Sequence, residues 1–248
     1  MNDHSAILAQ LRQYRDAVNI ERGRRHDRNQ LASFRPYPQQ LAFYAAGKHW
    51  RERLLMAGNQ CGKTYAGAME MAIHLTGNYP DWWPGHRFDR PIAAWCGSDS
   101  AEATRDAAQT NLVGPPADRG AWGTGAIPGE AIFETRMRQG LADAIDTLVV
   151  RHTSGGMSTL GFKSYDQKRV RWQGAKRDLV WFDEEPPEEI YSEGLTRTNA
   201  VPDGRAYLTF TPLQGMSEVV DSFISAERER RAAMGAGDGG AGGQRLPE

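Results

Sequence analysis

Cysteine is scarce: Cys61 and Cys96 are the only two in 248 residues, too few for a disulfide framework or a cysteine-rich zinc site. The six histidines show no ligand spacing. No apolar run approaches the roughly 20 residues that cross a bilayer, so no membrane association is expected. The start, Met1-Asn2-Asp3-His4-Ser5, lacks the basic residues and apolar core of a secretory signal, and a reduced, cytosolic setting is expected. Excess charge is missing too. Thirty Lys and Arg face 31 Asp and Glu, a formal net charge of −1, so any nucleic-acid contact must come from local basic patches. The remaining composition, 40% hydrophobic and 25% charged, is that of an ordinary globular protein. The length suits one sizeable α/β domain, the simpler reading, or two small ones.

Against these absences stands one turn, Gly58-Asn59-Gln60-Cys61-Gly62-Lys63-Thr64. The apolar run Leu54-Leu55-Met56-Ala57 precedes it, and a helix-prone stretch from Tyr65 to Leu75 follows. A strand feeding a glycine-bounded turn that opens a helix is a phosphate-binding loop, because the first helical N–H groups lack partners and the helix dipole favours an anion. Lys63 then reaches the β- and γ-phosphates, and the Thr64 hydroxyl completes a Mg²⁺ shell. The usual template has glycine where this chain has Ala57, and Gly-Lys-Thr alone also fits an ordinary helix start.

Before the loop, Ile7, Leu11, Tyr14 and Val18 make one apolar helical stripe, expected to pack on the domain or a partner. Arg22, Arg24, Arg25 and Arg28 follow as a linker or phosphate contact. Pro36 and Pro38 delay helix until about Gln39. Gln40 could read an adenine edge with its amide while Tyr37 covers the ring; a plain loop-to-helix junction explains the same residues. Ile92-Ala93-Ala94-Trp95-Cys96 reads as a buried strand and Gly97-Ser98-Asp99-Ser100 as the cap of a helix from Ala101 to about Thr110. Residues 114–129 read as glycine-rich surface turns. Strands at 147–151 and 158–162 form a hairpin through Thr153-Ser154-Gly155-Gly156. Then Lys163, Lys168, Arg169, Arg171, Lys176 and Arg177 interleave with Tyr165 and Trp172, a pattern fit for a nucleic-acid backbone, a neighbouring subunit's phosphates or a solvated face.

The second strong signal is Leu179-Val180-Trp181-Phe182 ending in Asp183-Glu184-Glu185. A fully buried parallel strand reads as such a run, and ligands bind at the carboxyl ends of such strands. There Asp183 would hold Mg²⁺ through water and Glu184 would orient or deprotonate the attacking water. A last strand, 205–210, ends in Thr211-Pro212 beside it. Three regions are expected: residues 1–33 as helix and basic linker, 34–228 as the P-loop domain, and 229–248 as a disordered Gly/Ala-rich tail.

These residues resemble the ATPase domain of the large subunit of tailed-phage terminases, over residues 34 to about 223. The likeness is carried by Trp181-Phe182-Asp183-Glu184-Glu185-Pro186-Pro187 with Tyr191 and Glu193-Gly194-Leu195-Thr196-Arg197. Trp122-Gly123-Thr124-Gly125-Ala126-Ile127-Pro128, Phe162-Lys163-Ser164-Tyr165 and Thr209-Phe210-Thr211-Pro212 add to it. The resemblance implies an α/β P-loop NTPase of RecA-like (ASCE) type, with a mainly parallel twisted sheet flanked by helices. It implies ATP and Mg²⁺ as cofactors, and nucleotide contacts from Gln40, Gly58, Asn59, Gln60, Cys61, Gly62, Lys63 and Thr64 (Walker A). Metal ligation falls to Thr64 and Asp183 (Walker B), catalysis to Glu184 with Lys63, and coupling of hydrolysis to movement to Thr211. Where many terminases carry a loop arginine this chain has Asn59, so an arginine from an adjacent subunit is expected, Arg171 or alternatively Arg169. Implied partners are double-stranded DNA, a homo-oligomeric ring, the small subunit and the portal. The implied place is the bacterial host cytoplasm and, transiently, the procapsid portal. The family's nuclease domain is not expected here. Half of a helicase-like DNA-dependent ATPase, or a truncated prophage relic that binds nucleotide without turnover, are the alternatives.

Overall fold

The computed structural model describes residues 11–19, 23, 28–58, 60–212 and 217–237. Seven strands make one sheet: β1 Glu52–Met56, β2 Ala93–Ser98, β3 Ile132–Met137, β4 Ile145–Arg151, β5 Met157–Ser164, β6 Leu179–Asp183 and β7 Arg205–Phe210. Their order is β1-β7-β6-β2-β5-β4-β3. The first five in that order run parallel, and β4 and β3 continue the sheet antiparallel. The expected hairpin is β4 and β5. All five parallel strands end on one edge, so the loops after β1, β2, β5 and β6, and Thr211 at the end of β7, meet there.

Helices cover the central strands. α1 is Pro38–Ala46, α2 Lys63–Thr76, α3 residues 101–113 with a π-helical segment Thr104–Gln109, and α4 Glu188–Asn199. Most of α2 is buried, which suits a helix that is apolar over more than one stripe. It lies close on β6, since a Cβ added at Gly67 would meet the Trp181 indole at 2.6 Å. A buried ion pair also ties it to β1: Arg53 Nη2 to Glu70 Oε1 is 2.5 Å and Arg53 Nη1 to Glu70 Oε2 is 3.1 Å. Burial alone would raise the Glu70 pKa, but the Arg53 charge and the hydrogen bonds from His74 and Arg53 outweigh it and hold the carboxyl below its usual range. On the opposite face α4 packs on β6, with Gly194 against the Phe182 ring.

Several expectations change. The stripe at residues 11–19 is helical, yet Leu11 is 59% and Tyr14 73% exposed, so it is not buried in the domain. Ile7, Arg22, Arg24 and Arg25 lie outside the described residues, whereas Arg28 donates to the Gly120 carbonyl at 2.6 Å and Leu31 is buried. The packed domain therefore starts before residue 34. The turns at 114–129 are not all surface: Ala126 and Ile127 are fully buried, and Gly123 and Gly125 abut the backbone of Gly129 and Leu112. Tyr165 and Trp172 are core residues, not platforms beside the basic side chains. A second compact unit, Pro212–Glu248, is described through α5, Glu218–Gly237. The expected tail is thus helical to residue 237, and 238–248 lie outside the described residues.

Candidate active site

The phosphate loop leaves β1 and enters α2 through Gly62, whose φ of 72° a side chain would strain; Gln60 just before it also has a positive φ, 60°. The Lys63 ammonium folds back to donate to the Gly58 carbonyl at 2.7 Å. Gln40, on the first turn of α1, accepts from the Tyr37 N–H at 2.9 Å and donates to the Gly62 carbonyl at 3.3 Å. The first bond caps the helix and the second fixes Gln40 on the rim of the loop, next to the exposed Tyr37. Cys61 is exposed, and Asn59 lies outside the described residues.

At the tip of β6, Asp183 is 1% exposed. Its Oδ1 accepts from Thr64 Oγ1 at 2.9 Å and from Thr209 Oγ1 at 2.8 Å. Thr209 sits opposite Asp183 in the β6–β7 pairing and accepts in turn from Trp181 Nε1 at 2.7 Å. The indole N–H occupies one lone pair and leaves the Thr209 proton directed at the carboxylate. Burial drives the Asp183 pKa up to about 7; hydrogen bonds from Thr209 and Thr64 and the Lys63 charge oppose the rise, and Glu184 adds to it.

Glu184 has a φ of 71°, a conformation that costs a non-glycine residue about 1–2 kcal/mol. The surroundings enforce it. Its N–H donates to the Thr209 carbonyl at 3.0 Å, and the buried Tyr165 hydroxyl is 2.9 Å from its carbonyl. Burial, then the nearby Asp99, raise its carboxyl pKa, while Lys63 and a hydrogen bond from the Thr211 backbone lower it. Thr211 therefore meets the acidic tip through its main chain.

Lys63, Thr64, Asp183 and Glu184 are thus brought together, with Gln40 and Thr211 at the border. The two arginines differ. Arg169 Nε is held by the buried Glu193 at 2.8 Å, and Arg197 pairs with the same carboxylate at 2.9 Å. Arg171 is exposed, and its side chain forms no ion pair among the described residues. Sequence reading missed Thr209, Trp181, Tyr165 and Asp99 as parts of the site. Only Thr209 carried a signal, as the other threonine of Thr-Phe-Thr-Pro.

Among the described residues no three His, Cys, Asp or Glu side chains converge as a metal-binding group. Thr64 with one buried carboxylate suits a cation that draws its other ligands from phosphate and water, as Mg²⁺ does. A carboxylate raised to about 7 by burial is also one that a divalent cation would stabilise in its ionised form.

Comparison with known proteins fits this geometry. The family model of the N-terminal part of the terminase large subunit, T4likevirus-type, matches residues 54–236. The terminase large subunit of Salmonella phage P22 is 42% identical over 211 residues, 78% of this chain and 42% of that protein, so this chain spans less than half of its relative's length. Two solved structures of the Thermus phage P74-26 large terminase ATPase domain, one of them a mutant, match with TM-scores of 0.53 and 0.52 at 20% identity. They cover 76% of this chain and 70% and 69% of theirs, a likeness that shows a shared fold.

Proposed function

The chain belongs to the terminase large-subunit family, and from that membership we propose that it is an ATP-hydrolysing motor domain that drives double-stranded DNA into a phage procapsid. The observation that carries the reading is the 2.9 Å hydrogen bond from Thr64 to Asp183, which joins the phosphate loop to the acidic strand tip across 119 residues of sequence.

Thr64 and Asp183 would hold Mg²⁺, which when bound neutralises charge developing on the phosphates. Lys63, now on the Gly58 carbonyl, would exchange that oxygen for phosphate oxygens, and the loop from Gly58 to Thr64 would supply backbone donors. Glu184 orients the attacking water and accepts its proton; its raised pKa brings it toward the working pH of a general base. Gln40 lies on the loop's rim, where its amide would meet the base. Thr211, bonded through its N–H to the Glu184 carboxyl, links that base to the end of β7 and so to movement. Arg171 is the better candidate for an arginine supplied to a neighbouring subunit, because Arg169 is committed to Glu193. A head-to-tail ring around DNA, with contacts to the small subunit and portal in the host cytoplasm, completes the reading. No nuclease step is proposed for these residues.

Phosphate release by the purified chain, with and without DNA, tests this. Glu184→Gln is expected to keep nucleotide binding and lower turnover by about 10²–10⁴. Nucleotide binding by a wild-type chain that never releases phosphate would instead make it a scaffold, and unchanged turnover in the variant would assign the base elsewhere.

A further inference from the structure

One face of the β5-β4-β3 annex is buried through Leu160, Phe162, Leu148 and Val150, which join the core cluster with α2. The other face has a different composition. Trp95 pairs with Gly161, Gly161 with Thr147, and Thr147 with Arg136; the next row is Thr159, Val149 and Glu134, and the last is Met157 and Arg151. Residues directly paired across strands share a face. Thr159, Met157, Arg151, Glu134 and Arg136 are exposed, and Thr147 and Val149 are half-buried. Trp172 packs on this face at Trp95, its β2 end, and the exposed residues lie on β3, β4 and β5.

Its charge is unbalanced. Lys163 shares the face, two residues beyond Gly161, and its Nζ lies 4.9 Å from the centroid of the Trp95 ring; the Arg177 guanidinium carbon lies 4.2 Å from the same ring. Burial lowers the Lys163 pKa; Asp146 opposes the shift, and the charges of Arg177, Arg138 and Arg171 add to it. Among the described residues none of these four cations forms an ion pair. Arg151 adds a cation at the far end, over Phe133 at 4.8 Å, while Arg136 is matched by Glu134 at 2.9 Å. Lys163, Arg177, Arg138 and Arg151 outnumber the carboxylates near them, Asp146 and Asp178, and form no ion pair among the described residues, which leaves an anion to be supplied from outside. Trp95 is only 3% exposed, so the indole seats the cations and is not available to stack on a base. Such a surface reads phosphate, not base edges. β5, with eight residues, runs about 26 Å, the rise of about eight base pairs at 3.4 Å each.

We propose that this face, centred on Lys163 and Arg177 over Trp95 and extended by Arg138 and Arg151, docks the phosphate backbone of duplex DNA without regard to sequence. The proposal rests on the reading of the chain as a DNA-handling motor, and it places that contact on the annex.

The test is the salt dependence of binding to a short labelled duplex, by fluorescence anisotropy in the absence of nucleotide. Lys163→Gln with Arg177→Gln is expected to lower the slope of log affinity against log salt by about 2, close to 0.9 per phosphate contact, equally for unrelated sequences. Arg138→Gln alone should lower it by about 1. Lys163→Met with Arg177→Met keeps Trp95 covered, so it separates loss of charge from loss of packing. Phosphate release without DNA, measured on each variant, should stay at the wild-type level. Any of three results overturns the proposal: a wild-type chain that does not bind duplex, folded variants with an unchanged slope, or variants altered in self-association but not in duplex binding. Charge-dependent duplex binding by a chain that releases no phosphate would overturn the motor and leave this surface standing.

Discussion

Asp183 shows how one residue type at one depth sets the chemistry. Its carboxyl is buried at the end of β6 with two hydroxyls directed at it, and burial still wins, raising the pKa to about 7. The unfolded value is about 4, so the folded chain binds the proton more tightly. Without nucleotide, the contribution of Asp183 to stability is therefore greatest at low pH and falls as pH rises from about 4 to about 7, at up to about 1.4 kcal/mol per pH unit. Asp183→Asn removes this titration. The expected outcome is a melting-temperature advantage of the variant that is near zero at pH 4, grows to pH 7 and is constant above; a pH-independent difference would mean that the carboxyl ionises normally. Lys63, Thr64, Asp183 and Glu184 were legible in the sequence because each stands where an apolar run meets an abrupt change, a glycine turn or three carboxylates. Thr209 was not. Thr209 and Thr211 occupy one short motif, and only the register of β6 on β7 shows which hydroxyl faces Asp183.

Elements hold these residues at the required spacing. Thr64 lies in the first turn of α2 and Asp183 ends β6, so their separation depends on how closely the helix lies on the strand. Gly67 sets that approach, because a methyl group there would fall 2.6 Å from the Trp181 indole, whose N–H also serves Thr209. Gly67→Ala is expected to gain in helix propensity yet destabilise the chain by about 1–3 kcal/mol through overpacking and to weaken ATP binding. Thermal melting and calorimetry would check both, and wild-type affinity in a less stable variant would uncouple the helix position from the site. The alternation of strand, turn and helix was readable around β1, β2 and β6, where apolar runs meet turns; β2 and β6 are buried on both faces. β3 was not, because bulges shift its register on β4 between Ile132 and Glu134 and between Arg136 and Met137, breaking the period-two pattern while its exposed face carries charge. The helix through residue 237 was hidden by glycine and alanine that read as tail.

For the whole molecule, one observation points beyond a single chain. Lys63 is the cation near both acidic groups, and Arg169 is engaged by Glu193. Arg171 and its exposed neighbour Val170 remain on the loop after β5, on the same sheet edge as the site. If a neighbour supplies the missing arginine, turnover per chain should rise with protein concentration, and Arg171→Ala should lower the high-concentration rate by about 10³ or more while sparing nucleotide binding. Concentration-independent turnover that survives the substitution would place the whole site in one chain. The family was legible in the acidic strand motif; the cations of the annex looked in sequence like a run with Tyr165 and Trp172, whereas folding buries those rings and brings Trp95 under Lys163 and Arg177 instead.

The most direct measurement is the calorimetric affinity for ATP with and without Mg²⁺, on the wild type and on Asp183→Asn. If the loop and the strand tip share one metal-bound triphosphate, Mg²⁺ should tighten binding to the wild type about tenfold or more, the free energy of one good charged contact. The variant should lose that gain and keep the Mg²⁺-free affinity. An equal Mg²⁺ effect in both proteins would contradict a shared site.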